Sequence, residues 1–284
     1  MTRVLVTGGQ GLIGRNICEY LVSQNIEVRV YDLPMHIFVE KRKPIEGAEN
    51  WQGSILDMET LSFAVKDCDY VLHLAAYMGV EKTESRPVEC LNININGVKN
   101  VLECAKREGI KKVLFSSSSE VYGDAAKVPT SETELLTPKS VYGVSKLAGE
   151  EYLKGYQKEF GLPYTIVRLF NVYGPQQVPG FVITNFVQAA LNGEPLKVFG
   201  DGEQVRAFCF VEDAVRGIYA ALFNQKAENN IFNIGNSKEP ISMKELAYRV
   251  LSIAGKKDSP IFIPEEGPRT KSREIYRRIP DISK

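Results

Sequence analysis

The sequence has no excess of either charge. Lysine plus arginine and aspartate plus glutamate number 35 each in 284 residues, which leaves no net charge with which to hold a polyanion. Nucleic acid is therefore not an expected partner. Cysteine is scarce: Cys18, Cys68, Cys90, Cys104 and Cys209 are odd in number, scattered and without a C-x-x-C pair. That argues against a disulfide framework or a zinc site and fits reduced thiols in a cytoplasmic protein. No metal ligand set is expected. No apolar run approaches the roughly 18 residues that a membrane span needs. The opening "MTRVLVTGG" enters a strand pattern without a basic-then-apolar leader. Internal repeats, low-complexity tracts and charge blocks are also missing. The length suits one large domain or two small ones with a continuous core.

What is present is alternation. Short β-branched runs, "RVLVT" (3–7), "EVRVYD" (27–32), "YVLHLA" (70–75), "KKVLFSS" (111–117) and "YTIVRLF" (164–170), are separated by helical patterns. Near-continuous apolar strands divided by helices predict a parallel sheet covered on both faces. Beyond Asn171 the pattern loosens. A helix is expected near 183–192, a strand pair around "LKVFGDGEQVRAFCF", and helices from Glu212 and Ser242. The division is 1–170 for the sheet domain and 171–284 for a smaller α+β lobe whose chain is partly interleaved with the first.

The first strand runs into "TGGQGLIG", with Gly8, Gly11 and Gly14 in a G-x-x-G-x-x-G spacing. Glycine there permits a tight turn, close approach of backbone to a pyrophosphate, and close helix–strand packing. The N–H groups of the new helix can then bind the anion. Gly8, Gly11, Leu12, Ile13 and Gly14 form the expected phosphate-binding segment. Asp32 ends the second strand 18 residues after Gly14, where a carboxylate can hold ribose hydroxyls. Leu33 and Pro34 follow it, so no adjacent arginine is offered to a 2′-phosphate, and NAD is favoured over NADP.

"TPKSVYGVSKLAGEE" carries a helix start, with Thr137 as N-cap and Pro138 at the first helical position. Tyr142 and Lys146 then share one helix face. A free tyrosine titrates near 10 and is a poor base at neutral pH. A nearby ammonium makes its phenolate accessible. Ser118, at the end of the preceding strand, is placed to share the proton.

These residues, with "HLAA" (73–76), Asn94 and "RLFNVYGP" (168–175), resemble the extended short-chain dehydrogenase/reductases in order and spacing over essentially the whole chain. Within them the resemblance is to the nucleotide-sugar epimerases and dehydratases typified by UDP-galactose 4-epimerase. The fold this implies is α/β, a Rossmann-type doubly wound parallel sheet with the C-terminal lobe holding the nucleotide sugar. The implied cofactor is NAD, bound by the glycine segment, Asp32, Ser54, Ile55, Leu74, Ala75, Ala76, Asn94, Ser116, Tyr142 and Lys146. Asn94 is the residue that supports the active-site helix in such proteins. Ser118, Glu120, Asn171, Asn185, Arg206 and Arg273 are the implied substrate contacts, with Lys271 or Arg269 as alternatives in register to Arg273. Relatives usually continue past "RRIPDISK" with a further helix. A homodimer is implied, built on the "NGVKNVLECAKREG" and Tyr142 helices. The stripe Val98, Val101, Leu102 and Ala105 also reads as ordinary core.

The implied chemistry begins with oxidation at C4 of the sugar, with Ser118, Tyr142 and Lys146 as the catalytic set. Four readings stay open. A 4-epimerase needs nothing more. A 4,6-dehydratase adds a glutamate base and an aspartic acid, and "SSE" (118–120) supplies Glu120 without the acid. UDP-glucuronate decarboxylases carry Thr-Ser-Glu there, which is closer, but "YGVSK" is the epimerase form and the loop after "GP" lacks their arginine. A redox-sensing or scaffold member of the fold would often have lost the tyrosine or lysine. The expectation is epimerisation of a UDP-hexose or uronic acid, with Glu120 a pocket residue on the Ser118 side if the chain runs extended there.

Overall fold

The apolar runs place five strands side by side, and each forms where β-branched residues dominate. The computed structural model describes residues 1–34, 42–264 and 275–284. The chain opens with β1 (Arg3–Thr7), α1 (Leu12–Ser23), β2 (Glu27–Asp32), β3 (Glu49–Gln52), α2 (Met58–Val65) and β4 (Tyr70–His73). Helices α3 (Val80–Ser85) and α4 (Pro87–Leu91), a π-helical turn over Asn92–Asn96 and α5 (Gly97–Arg107) lead to β5 (Lys112–Ser118). Then come α6 (Val141–Phe160), β6 (Tyr164–Leu169), β7 (Val172–Tyr173) and α7 (Val182–Asn192). The rest is β8 (Lys197–Phe199), β9 (Val205–Ala207), β10 (Cys209–Phe210), α8 (Val211–Phe223), β11 (Asn230–Ile234), β12 (Pro240–Ser242), α9 (Met243–Ile253), β13 (Ile261–Ile263) and β14 (Arg277–Arg278).

The main sheet has seven strands in the order β3-β2-β1-β4-β5-β6-β11, all parallel. Strand order reverses between β1 and β4, which opens a crevice at their carboxyl ends where such sheets bind ligands. Successive side chains of β1 point to opposite faces. Val4 and Val6 join Ile17, Leu21, Val215 and Ile218 beneath α1 and α8. Leu5 joins Leu61, Val101, Leu102 and Leu153 beneath α2, α5 and α6. The stripe Val98, Val101, Leu102 and Ala105 therefore belongs to the chain's own core, at most 2% exposed.

Three sequence expectations are corrected here. The sheet does not end at β6: α8 and β11, from beyond Asn171, complete it, so the interleaving of the two parts is deep. The strands of "LKVFGDGEQVRAFCF" do not pair with each other. β8 pairs with β13, while β9 lies between β12 and β14. The Tyr142 helix is capped not by Thr137 but by Ser140, whose Oγ accepts from Gly143 N at 3.0 Å. Thr137 Oγ1 instead donates to Tyr122 O.

Candidate active site

The crevice at the strand switch is lined first by the glycine turn. Gly8 adopts φ +72°, and a Cβ there would come within 2.6 Å of Ala75 N. A Cβ at Gly14 would meet Gly8 O at 2.1 Å. Neither site admits a side chain, so the turn lies directly against "HLAA" and under α1. Gly11 is the N-cap of α1 and offers no side-chain cap, which leaves first-turn N–H groups for an anion. Asp32 stands beside this turn, accepting from Gln10 N at 2.8 Å and Leu33 N at 2.7 Å. The cradle fits a dinucleotide whose diphosphate meets α1 and whose ribose meets Asp32. The fold also returns Arg42 to this place: its guanidinium donates to Gln10 O. No arginine follows Asp32 directly in the sequence, but Arg42 reaches the same turn through Gln10, whose N–H donates to Asp32.

Helix α6 lays Tyr142 and Lys146 against the end of β5. Lys146 is buried, and its Nζ donates to Ser116 O at 2.7 Å and lies 5.7 Å from the centre of the Tyr142 ring. Burial lowers the Lys146 pKa to about 7, against the charges of Cys90 and Glu150, which favour the ammonium. Burial pushes the Tyr142 phenol up, and the charge of Glu120 adds to this. Ser116 Oγ donates to His73 O. His73 shares a 2.7 Å hydrogen bond with Thr7 Oγ1, and burial lowers its pKa to about 3. It is a neutral spacer between the glycine turn and the lysine.

Ser118 ends β5, but the chain does not run extended from there to Glu120. Ser119–Tyr122 forms a 3₁₀ turn, and Ser118 Oγ caps it by accepting from Glu120 N at 3.2 Å. The alternation argument for Glu120 fails for that reason. The turn aims Glu120 at α6 instead: Ser140 Oγ donates to its Oε2 at 2.9 Å, and Arg278 pairs with its Oε1 at 2.6 Å. Burial alone would raise the Glu120 pKa, but the charge of Arg278, the Ser140 and Arg278 hydrogen bonds and the charge of Arg206 outweigh it and hold the carboxyl below its ordinary range. Glu120 is an ionised, paired carboxylate and no proton donor.

A family model described as the NAD dependent epimerase/dehydratase family matches residues 4–235. The chain belongs to this family. It is an extended short-chain dehydrogenase/reductase, and its cofactor is NAD. A UDP-N-acetyl-alpha-D-glucosaminuronate decarboxylase of Bacillus cytotoxicus is 35% identical to it, over 99% of this chain and 90% of that one. The UDP-glucose 4-epimerase of Thermotoga maritima, solved with UDP-glucose, superposes with a TM-score of 0.90 at 34% identity, covering 99% of this chain and 90% of that one. The UDP-glucose 4-epimerase of Thermus thermophilus, solved with NAD, gives 0.89 at 31% identity, with 99% and 90% covered.

The remaining residues implied by the family pattern are placed unevenly. Leu74 and Ala75 are tied to β1, through Thr7 O and Thr7 Oγ1, and Ala76 follows them along the cleft. Ser54 O accepts from Tyr31 OH, but the Ile55 side chain is turned into the core against α5, where a Cβ on Gly97 would strike it at 2.3 Å. Asn94 is buried and spends its amide on Tyr77 and Ser145 Oγ. The bond to Ser145 ties it to α6. Asn171 adopts φ +40° and donates to Ala207 O, which joins β6 to the lobe. Asn185 is exposed and accepts from Gly180 N at the start of α7. Arg206 reaches Val205 O and Tyr276 O, within the electrostatic reach of Glu120. Arg273, Lys271 and Arg269 lie outside the described residues. Arg278 and Ser140 are the site residues the sequence reading passed over. Arg278 was hidden as the last member of a mixed basic run. Among the described residues, no cluster of His, Cys, Asp and Glu could hold a metal, and no helix is long and apolar enough to cross a membrane.

Proposed function

We propose that this protein is a nucleotide-sugar 4-epimerase acting on a UDP-hexose-type substrate. The observation that carries the reading is the state of Glu120. A dehydratase or a C5-directed enzyme needs a glutamate free to take a proton from the sugar, and here both oxygens of that carboxylate are already engaged, one by Arg278 and the other by Ser140. Ser119, the place where a dehydratase would need an acid, is a buried hydroxyl.

When bound, NAD supplies the acceptor and donor for the hydride of C4 and a positive charge near the phenol. Tyr142 takes the proton of the C4 hydroxyl and later returns it. Lys146 holds the phenolate electrostatically, and its tether to Ser116 O fixes where that charge sits. Ser118 orders the 3₁₀ turn at the sugar. Asn171 and Arg206 border the lobe side, where the diphosphate of the substrate would lie. With no net redox change, no external reductant is needed.

A uronate decarboxylase is the second reading. Arg278 is a nearly buried cation whose Nε has no hydrogen-bond partner among the described residues, and a sugar carboxylate could use it. Glu120 already neutralises that charge, which keeps this reading second. The test is product identity. On a panel of UDP-hexoses, N-acetylhexosamines and uronic acids, the expected product has unchanged mass and inverted C4 by NMR. Loss of CO₂ or water would replace the epimerase reading.

The protein is further proposed to be a cytoplasmic homodimer. Val88 on α4 is 78% and Val144 on α6 is 46% exposed, and a closed two-fold contact would cover such apolar side chains. A scattering mass of one 31.7 kDa chain, rather than two, would refute the dimer.

A further inference from the structure

Helix α6 meets the sheet through small residues. A Cβ on Gly149 would strike the Phe115 ring at 2.6 Å, and one on Gly143 would meet Glu120 O at 2.8 Å. Ser145 takes its place against Asn94. Such contacts let the helix approach β5 closely, but smooth apolar surfaces fix a helix poorly along its own axis. The axial position of α6 matters, because it decides where Tyr142 and Lys146 sit relative to Ser118.

One turn beyond Lys146, on the same face, α6 carries Glu150. Ser117 and Arg168 are register partners on β5 and β6 and so project to the same face of the sheet. Both donate to Glu150. Its Oε1 accepts from Ser117 Oγ at 2.5 Å and from Arg168 Nε at 2.9 Å, and its Oε2 from Arg168 Nη2 at 2.7 Å. Arg168 Nη1 is fixed in turn by Tyr122 OH at 2.9 Å and Glu132 O at 3.1 Å. The pair is 0% and 2% exposed. A buried ion pair is a poor source of stability, since apolar residues of similar volume often do as well or better. What a fully satisfied buried network does supply is one defined arrangement.

We propose that the Glu150–Arg168 pair, with Ser117, is the positioning device that sets the register of α6 against β5 and thereby holds Tyr142 and Lys146 at the reacting carbon. Ser117 stands between Ser116, whose carbonyl holds Lys146, and Ser118, which caps the turn carrying Glu120. A slip of the helix would therefore move the tyrosine and lysine against a serine row that stays with the sheet. Neither Glu150 nor Arg168 touches the substrate in this account. The inference rests on the reading of Tyr142 and Lys146 as the pair that works at C4.

The test uses the full chain with NAD and the nucleotide sugar that the wild type converts. Breaking the pair singly would leave a buried charge alone, so the variant is Glu150→Leu with Arg168→Met, which keeps volume and removes both charges. Two quantities are read: kcat against KM, and the rate at which the reduced-nicotinamide absorbance appears on mixing with substrate. The expected result is a folded enzyme whose kcat and absorbance rate both fall by about tenfold to a hundredfold, as small misplacements of reacting groups do. KM and NAD content should stay within about twofold, since ground-state binding is untouched. Should the double variant not fold, Ser117→Ala, which deletes one hydroxyl, is read by the same two rates and is expected to lower both. A folded variant with wild-type rates would overturn the positioning role while leaving the C4 reading in place. A wild type whose cofactor is reduced by no nucleotide sugar would overturn both.

Discussion

At the scale of single residues, the site is a set of charges arranged against burial. Tyr142 is the least replaceable of them. Tyr142→Phe keeps the ring and removes the hydroxyl, so turnover should fall by roughly 10²–10⁴-fold, the usual contribution of a general base, while NAD binding measured by titration is retained. A variant keeping a tenth of the wild-type rate, roughly, would contradict the role. Lys146 gives a pH signature. Its pKa is about 7 in the folded protein against an ordinary 10.5. Between those values the unfolded chain holds a proton that the folded chain has lost, so a rise in pH through this window favours folding. The cost of burying the ammonium is therefore greatest below about pH 7 and fades toward about pH 10.5. Lys146→Met should gain stability relative to wild type at about pH 6 compared with about pH 9, read by thermal unfolding of the NAD-free proteins. The same difference at both pH values would mean that the lysine carries no such burden.

At the scale of elements, α6 is the part on which both sheet and lobe act. Its N-cap, Ser140, also donates to Glu120, so Ser140→Ala should cost about 0.5–2 kcal/mol of stability through the cap and loosen Glu120 as well. Denaturant unfolding measures the first effect; an unchanged midpoint would show that another residue caps the helix. The reach of the sequence can be judged here. Strands β1, β2, β4, β5 and β6 were legible because buried parallel strands need β-branched apolar runs. β3 was not, because "ENWQ" is a mostly exposed edge strand with no such run. The glycine turn, Tyr142 and Lys146 were legible because their chemistry is local in sequence. The partners of Glu120 were not: Arg278 lies 158 residues away, and only the pairing of β14 with β9 brings it to the site. The choice of Ser140 over Thr137 as cap turned on which of two adequate side chains the preceding loop delivers, and spacing alone does not decide that.

At the scale of the whole molecule, the strand switch, the glycine turn and the lobe converge on one cleft between cofactor and sugar. Asp32 should make that cleft prefer NAD to NADP, because its charge repels a 2′-phosphate, although Arg42 nearby offsets part of the repulsion. Titration of the cofactor-free protein should show tighter binding of NAD, with the gap narrowed in Asp32→Ala; equal affinities in the wild type would contradict this role for Asp32. The central claim is that hydride leaves C4 and returns to C4 of the same sugar. It is tested most directly with a UDP-hexose substrate carrying deuterium at C4. The account predicts that both epimers at equilibrium retain the label at C4 with no change in mass. Label lost to solvent, label moved to C6, or a product lighter by CO₂ or water would contradict it.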